Sequence, residues 1–500
     1  MNLDKIFSNK RALYAGLVLV AFSLVFTSTL RPFSNRIMNV DTSVYVSITQ
    51  GLSRGLVLYS ELADNKGPLL YFISLPGFHL AGITGVWVTQ FVLMFVSIFF
   101  MYKLALLFVS AKAAFLTVAF TSLAMHPFYY VDAGAEEYAL PFLAVSLYIF
   151  TKHYIGGKDA GFWEVVVLGA SFALAIMIRL NMFPLWAGFC LVIIIEALSQ
   201  KRFADMFKYI GAFLVGVFAV LLPIFLYLWR HDIFLDFYYN VVVSGAARGF
   251  AVLSLNEFIH NFYTIINRSF SFIPLCIGVV WVFVKYKNIS VFYFAGFLLS
   301  YFLSILFLSF SRGEPHWNLI LIPFFVPAVA FLSDLFLNNV KVKYKHAALI
   351  ILFCVAFSEG LARLSSYLFF PHDTGIPIRD AGRIIDENTA PNDTIISLGA
   401  HAYIYPFTQR LPASRFIIQG WAFDHIPGAR EEFVSGILND PPKIIAIVLN
   451  ENGMPHMIDH RWHGEIFAMM ESDYRLLEDN GRARIFIRED AAPGAGALEN

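Results

Sequence analysis

The chain has 500 residues, of which 58% are hydrophobic, 17% aromatic and 14% charged, with 53 phenylalanines and 36 bases balanced by 36 acids. Its mean hydropathy is +0.65. That balance excludes a water-soluble domain and predicts an integral membrane protein, and a net charge of zero gives no reason to expect a nucleic-acid partner.

A spanning helix needs roughly 20 mostly apolar residues. The first such run, Ala12 to Leu30, follows Lys5, Lys10 and Arg11. It is long and has no small-residue cleavage site after it, so it reads as a signal anchor. Ten more runs follow: Val86 to Phe108, Ala113 to Pro127, Tyr138 to Phe150, Trp163 to Ile178, Met182 to Leu198, Tyr209 to Trp229, Phe270 to Val284, Val291 to Phe310, Leu319 to Leu337 and Ala347 to Tyr367. Basic residues mark every second connection: Lys103 with Lys112, Lys152 with Lys158, Lys201 with Arg202 and Lys208, Lys285 with Lys287, and Lys341 with Lys343 and Lys345. Short cytoplasmic loops collect lysine and arginine, so the N-terminus is expected in the cytoplasm. About 11 transmembrane helices then put loop 31–85, the Asp132 to Glu137 turn, the Arg230 to Ser269 loop, the Ser311 to Trp317 turn and the C-terminal segment on the outer face. Cys190, Cys276 and Cys354 all fall in predicted spans, which leaves the outer regions without a disulfide.

Loop 31–85 carries more charge than a connection needs. Asp41 opens a stretch in which Val44, Ile48 and Leu52 have the spacing of a helix along the interface, ending near Gly55. The Asp41 carboxylate can be that helix's N-cap, or a group that deprotonates a hydroxyl or holds a metal; one role does not exclude the other. Asp64 and Lys66, before Gly67-Pro68, can form an exposed ion pair worth roughly 0–1 kcal/mol. Alternatively the apolar re-entrant stretch Leu69 to Phe78 carries Lys66 toward a lipid phosphate.

In the turn Asp132-Ala-Gly-Ala-Glu136-Glu137, one acid satisfies the dipole of the helix it starts and the other points elsewhere. Which one faces a site is left open. Arg179 and Asn181, at the outer end of the fifth run, either snorkel to the interface or bind phosphate. In Ser311-Arg312-Gly-Glu314-Pro-His316-Trp317, Arg312 and Trp317 can be headgroup anchors. An arginine fork also suits a phosphate.

After Tyr367 charges, Pro and Gly become frequent and no run could span a bilayer. Asp393 to Leu398, Lys443 to Leu449 and Arg484 to Arg488 read as strands, Ile376 to Glu387 and Gly464 to Leu477 as amphipathic helices. Their alternation predicts a compact α/β unit.

The run Ala12 to Leu30, Asp41 at the start of a juxtamembrane helix, then Gly55-Leu-Val-Leu-Tyr59 and Asp64-Asn-Lys66-Gly-Pro68-Leu-Leu-Tyr71, resembles the first outer loop of the GT-C glycosyltransferases. It is closest to the bacterial branch related to protein O-mannosyltransferases and lipid A aminoarabinose transferases. The turns holding Glu136 with Glu137, and Arg312 with His316, are similar to acid-bearing and Arg/His-bearing turns of that superfamily. Gln409-Arg-Leu-Pro-Ala-Ser-Arg415-Phe is similar to the small outer domain of bacterial members, where it implies a part in acceptor recognition. The resemblance implies a GT-C fold, Asp41 as the catalytic residue and a polyprenyl-phosphate sugar as donor. It brings Asp64, Lys66, Glu136, Glu137, Arg179, Arg312 and His316 into consideration as substrate-binding residues.

Protein mannosyltransferases carry an Asp-Asp or Asp-Glu pair at the start of this loop; here Asn39 stands two before Asp41, and no compact His or Asp ligand spacing occurs in the outer loops. A site needing no cofactor is therefore expected, with a divalent ion (Mg or Mn) held by Asp41 and Glu136 or Glu137 as the alternative. The expected organisation is a transmembrane GT-C catalytic domain over 1–367, an extracytoplasmic α/β domain over 368–490 and a disordered tail over 491–500. The expected activity is inverting transfer of a hexosyl or pentosyl unit from the carrier to a hydroxyl of a cell-envelope glycan, glycolipid or protein, at the outer face of a bacterial inner membrane. A transporter or flippase of lipid-linked glycans would place ionisable residues or broken helices near the midplane, whereas these charges cluster at the outer boundary. A non-catalytic scaffold leaves Asp41, Lys66 and Glu136 without a task.

Overall fold

The computed structural model describes residues 10–126, 133–155, 159–249, 254–268, 272–286, 290–311, 314–338, 375–399, 402–408, 410–449 and 460–489, with a few isolated positions besides. Asp132, Arg312, Gln409, most of the run Ala347 to Tyr367 and the tail 491–500 lie outside the described residues.

In chain order the longer helices are α1 (Lys10–Val25), α2 (Val40–Ser53), α3 (Leu69–Ala105), α4 (Ala111–Met125), α5 (Ala135–Ile155), α6 (Phe162–Ile176), α7 (Pro184–Ser199), α8 (Phe203–Arg230), α9 (Leu255–Arg268), α10 (Phe272–Lys285), α11 (Val291–Ser309) and α12 (Ile322–Asn338). Each of the first ten apolar runs coincides with one of these, because inside a bilayer every backbone group must be satisfied within its own segment. Helices α3, α8 and α11 and the stretch Pro315–Asn338 are each long and apolar enough to cross a membrane alone. Four further helices, α13 (Ile376–Glu387), α14 (Gln419–His425), α15 (Ala429–Asn439) and α16 (His460–Asp473), accompany the strands of the C-terminal part.

The chain divides into two compact units, Met1–Ser28, Thr89–Tyr227 and Arg248–Phe370 forming the first, and Thr29–Val88, Leu228–Ala247 and Pro371–Asn500 the second. In the first, small residues set the spacing. Helices α6 and α8 meet where a Cβ on Gly169 would lie 1.9 Å from the Phe213 carbonyl oxygen, and one on Gly216 2.0 Å from that of Val166. Helices α7 and α11 meet at Gly188 and Ser300, whose Oγ donates to the Leu185 carbonyl at 2.8 Å. Such residues let backbones approach where no hydrophobic drive separates helix from lipid. On α8, Phe207, Leu214, Phe218, Leu222 and Leu226 are exposed along a single stripe. A stripe of that length is a lipid-facing surface.

The second unit holds a five-stranded sheet in the order β2-β1-β3-β5-β4, built from β1 (Thr394–Leu398), β2 (Leu411–Pro412), β3 (Ile444–Val448), β4 (Tyr474–Asp479) and β5 (Ala483–Arg488). β1 runs parallel to β2 and β3, with Ile395 opposite Ile444, and β5 runs antiparallel to β3 and β4. The α/β unit expected after Tyr367 is present, with two differences. The helix expected to reach Leu477 ends at Asp473, because Tyr474 to Asp479 pair with β5 and the ladder outweighs the helical periodicity. Helices α14 and α15 and the two-residue β2 were not apparent from pattern alone. The core joins Ile396, Leu398, Ile445 and Ile447 to Phe416, Phe433, Ile437 and Ile466, and Ala63 from the first loop belongs to it.

Arg415 ties three stretches of this unit together. Its guanidinium donates twice to Glu432 at 2.7 Å, to Asp236 Oδ1 at 2.9 Å and to the Tyr59 carbonyl at 3.1 Å, while its own carbonyl accepts from Ala63 N at 2.8 Å. Burial works against its charge, yet Glu432 and Asp236 hold its pKa above the ordinary arginine value.

Candidate active site

In the second unit, α2 starts one residue before Asp41. Its N-cap is Asn39, whose Oδ1 accepts from Asp41 N at 3.0 Å. The cap is therefore Asn39 and not Asp41. Tyr45, one turn on and on the same face, donates its hydroxyl to Asp41 Oδ2 at 3.3 Å. Its ring also lies 5.6 Å from Lys66 Nζ, so one tyrosine gathers a carboxylate and an ammonium.

Lys66 is not an exposed partner of Asp64. Asp64, Asn65 and Lys66 are 5%, 7% and 7% exposed. Lys66 Nζ donates to Asn65 Oδ1 at 2.6 Å, Tyr59 donates to the Lys66 carbonyl at 2.9 Å, and Asp64 accepts from the Tyr71 hydroxyl. Tyr45 and Tyr71 stack edge to face at 6.2 Å between centroids. A buried ammonium needs partners, and the Tyr45 ring and the Asn65 amide oxygen are among those of Lys66. The Nδ2 of Asn65 is buried without a hydrogen-bond partner.

In the first unit, the two acids at the start of α5 separate as their one-residue spacing demands. Glu136 forms a buried ion pair with Arg179, and Glu137 Oε2 accepts from Gln90 Nε2 at 2.8 Å. Arg179 does not snorkel: its side chain is 17% exposed, and its guanidinium stacks on Trp317 with Cζ 4.6 Å from the ring centroid. Pro315–Leu321 is a 3-10 turn, and in it the His316 and Trp317 rings meet at 5.7 Å. Asn181 Oδ1 and Asn318 Oδ1 are buried without hydrogen-bond partners. Among the described residues no three His, Cys, Asp or Glu side chains converge as a ligand set.

Of the residues expected from sequence, Asp41 and Lys66 come together around Tyr45, Asp64 pairs with Tyr71, Glu136 with Arg179, and Glu137 with Gln90. Arg312 lies outside the described residues. Tyr45, Tyr71 and Gln90 were not anticipated. The four-residue step from Asp41 to Tyr45 was a usable signal; Gln90 and Glu137 are too far apart in sequence to be paired without the fold.

Residues 65–227 match the family model of dolichyl-phosphate-mannose-protein mannosyltransferases. No curated protein matches significantly. Among solved structures, ArnT from Cupriavidus metallidurans bound to undecaprenyl phosphate is similar at 12% identity and a TM-score of 0.65, over 96% of this chain and 98% of that one. The Archaeoglobus fulgidus oligosaccharyltransferase tethered to an acceptor peptide is similar at 12% identity and a TM-score of 0.55, over 94% of this chain and 72% of that one. AglB from the same organism, in complex with an inhibitory peptide and a dolichol-phosphate, is similar at 11% identity and a TM-score of 0.55, over 97% and 75%. The chain thus shares the fold of these structures, the GT-C fold expected from the sequence.

Proposed function

We propose that this protein moves one hexosyl or pentosyl unit from a polyprenyl-phosphate carrier to a hydroxyl of a cell-envelope glycan, glycolipid or protein, at the outer face of the bacterial inner membrane. The observation that carries the proposal is the gathering of Asp41 and Lys66 around Tyr45. Asp41 takes the acceptor proton as the acceptor oxygen bonds to the anomeric carbon. The bond from that carbon to the phosphate oxygen breaks, and the carrier leaves as its phosphate. A single displacement inverts the anomeric centre. The leaving group needs charge stabilisation more than a proton, a task assigned to Lys66, Arg179 and Arg312 with help from His316. Asp64 has a part through Tyr71, which shares a wall with Tyr45. The undecaprenyl phosphate and dolichol-phosphate in the related structures support a lipid-phosphate donor. Positive-inside counting supports an outer-face site.

The reaction as written needs no metal. Glu136 and Glu137, the residues that could join Asp41 around a divalent ion, are already engaged by Arg179 and Gln90. The test is transfer by the purified protein in lipid. A polyprenyl-phosphate sugar is expected to serve as donor and the matching nucleotide sugar to be ignored, with EDTA leaving the rate unchanged. Asp41→Asn leaves the Asn39 cap intact and is expected to slow transfer by about 10²–10⁴-fold. Efficient transfer from the nucleotide sugar, or full activity of the Asn variant, would sink the proposal.

A further inference from the structure

In the first unit, helices α5, α6, α7 and α8 surround a cavity of about 280 Å³. Its wall is apolar throughout. Phe150, Leu168, Ile194 and Phe213 stand around it, and His153, Cys190 and Tyr209 turn no polar atom into it. The Nδ1 of His153 accepts from Ala160 N at 3.1 Å, and its ring meets that of Tyr209 edge to face at 6.2 Å. Leu214 belongs both to this wall and to the lipid-facing stripe of α8, and Ile210, one turn before it, lines the cavity and is exposed as well. The space therefore opens sideways on the bilayer.

Its position decides what fills it. A space without polar partners does not hold water, and one that opens on lipid takes hydrocarbon from it. From Phe203, the first residue of α8, to Leu214 the axis rises roughly 16 Å at 1.5 Å per residue. That is about half of a hydrocarbon core of roughly 30 Å, the depth of one leaflet, and it suits one acyl chain entering from the end that bears the basic connections. The charges at that end choose the headgroup. Lys152 pairs with Glu164, and Arg202 with Asp159 and Asp205. Glu196 accepts from Tyr154 at 2.8 Å and from Gln200 at 3.3 Å. Lys201, just before α8, and Lys208, beside Tyr209 and Ile210, are exposed and enter no ion pair among the described residues. Two such ammonium groups at the membrane surface favour an anionic lipid over a zwitterionic one.

We propose that this cavity binds one acyl chain of an anionic phospholipid, from the leaflet on the side of the basic connections; the proposal does not depend on the transfer reading above. The full-length protein in phosphatidylcholine nanodiscs is given phosphatidylglycerol or phosphatidylcholine bearing the same photoreactive diazirine in one acyl chain, and the adducts are mapped by peptide mass spectrometry. Adducts of phosphatidylglycerol at Leu168, Cys190 and Phe213 are expected to saturate with dose and to be competed by the unlabelled lipid. Adducts at Phe218 and Leu222, on the lipid-facing stripe, are expected to rise in proportion to dose with either probe. Ile210→Trp, which obstructs the side opening, is expected to lower the cavity adducts severalfold and to leave those of the stripe unchanged. Lys201→Gln and Lys208→Gln, both at exposed positions and so without consequence for folding, are each expected to weaken competition by phosphatidylglycerol about fivefold. Cavity adducts that do not saturate, equal saturation by phosphatidylcholine, or lysine variants that compete as the parent does would overturn the proposal. So would displacement of the probe by undecaprenyl phosphate more effectively than by phosphatidylglycerol, which would mark the cavity as a place for the isoprenoid chain of the carrier.

Discussion

Arg179 is held from two sides, by the Glu136 carboxylate and by the face of Trp317. Lysine can replace its charge but neither its planar fork nor its stack. Arg179→Lys is therefore expected to fold and to lose about 10–100-fold in transfer rate, measured in lipid with a polyprenyl-phosphate sugar. Arg179→Ala leaves Glu136 buried and unpaired, a loss of about 3–5 kcal/mol, and is expected to lower the thermal unfolding midpoint as well. Equal unfolding midpoints for the two variants would show that the ion pair has no structural share. Asp41 and Lys66 were legible in the sequence because charges beside an apolar run are conspicuous. Their environment was not: of the two readings of Asp64 and Lys66, burial removes the exposed ion pair, and aromatic residues in so aromatic a chain do not advertise which of them line a site.

At the scale of elements, α6 and α8 depend on backbone contact through Gly169 and Gly216. Gly216→Leu puts a side chain where the Val166 carbonyl stands and is expected to reduce folded yield and the unfolding midpoint. Gly211, on the same helix with nothing within 4 Å of its would-be Cβ, is the control: Gly211→Ala is expected to be tolerated or to stabilise by up to about 1 kcal/mol. The sheet has its own tie at the start of β1. Burial alone would raise the Asp393 pKa, but the Ala390 N–H at 2.6 Å and Lys443 at 3.2 Å outweigh it and hold the carboxyl below its ordinary value. A carboxyl with a depressed folded pKa adds stability that is complete above the unfolded value, about pH 4, and is lost as pH falls through the folded one. Asp393→Asn is expected to flatten that part of the acid unfolding curve, read by intrinsic fluorescence; an unchanged acid limb would show that the pair adds nothing.

For the whole molecule, alternation of basic connections predicts that the C-terminal residues lie across the membrane from the N-terminus. Alkaline phosphatase fused after Asn500 is expected to be active and a fluorescent reporter that matures only in the cytoplasm to be dark. The opposite result would remove the outer-face site.

Length, apolar composition and the spacing of lysine and arginine determined by themselves that this is a polytopic helical membrane protein, and ten of the predicted runs became helices, because transfer of a segment into lipid depends on that segment alone. The break in α3 at Ala81 and Gly82, the assembly of 29–88 and 228–247 with 371–500, the hub at Arg415 and the division of labour between Glu136 and Glu137 were decided only by the tertiary structure. Each rests on partners distant in sequence, and a hydrogen bond or ion pair takes its meaning from the group that the fold brings to it.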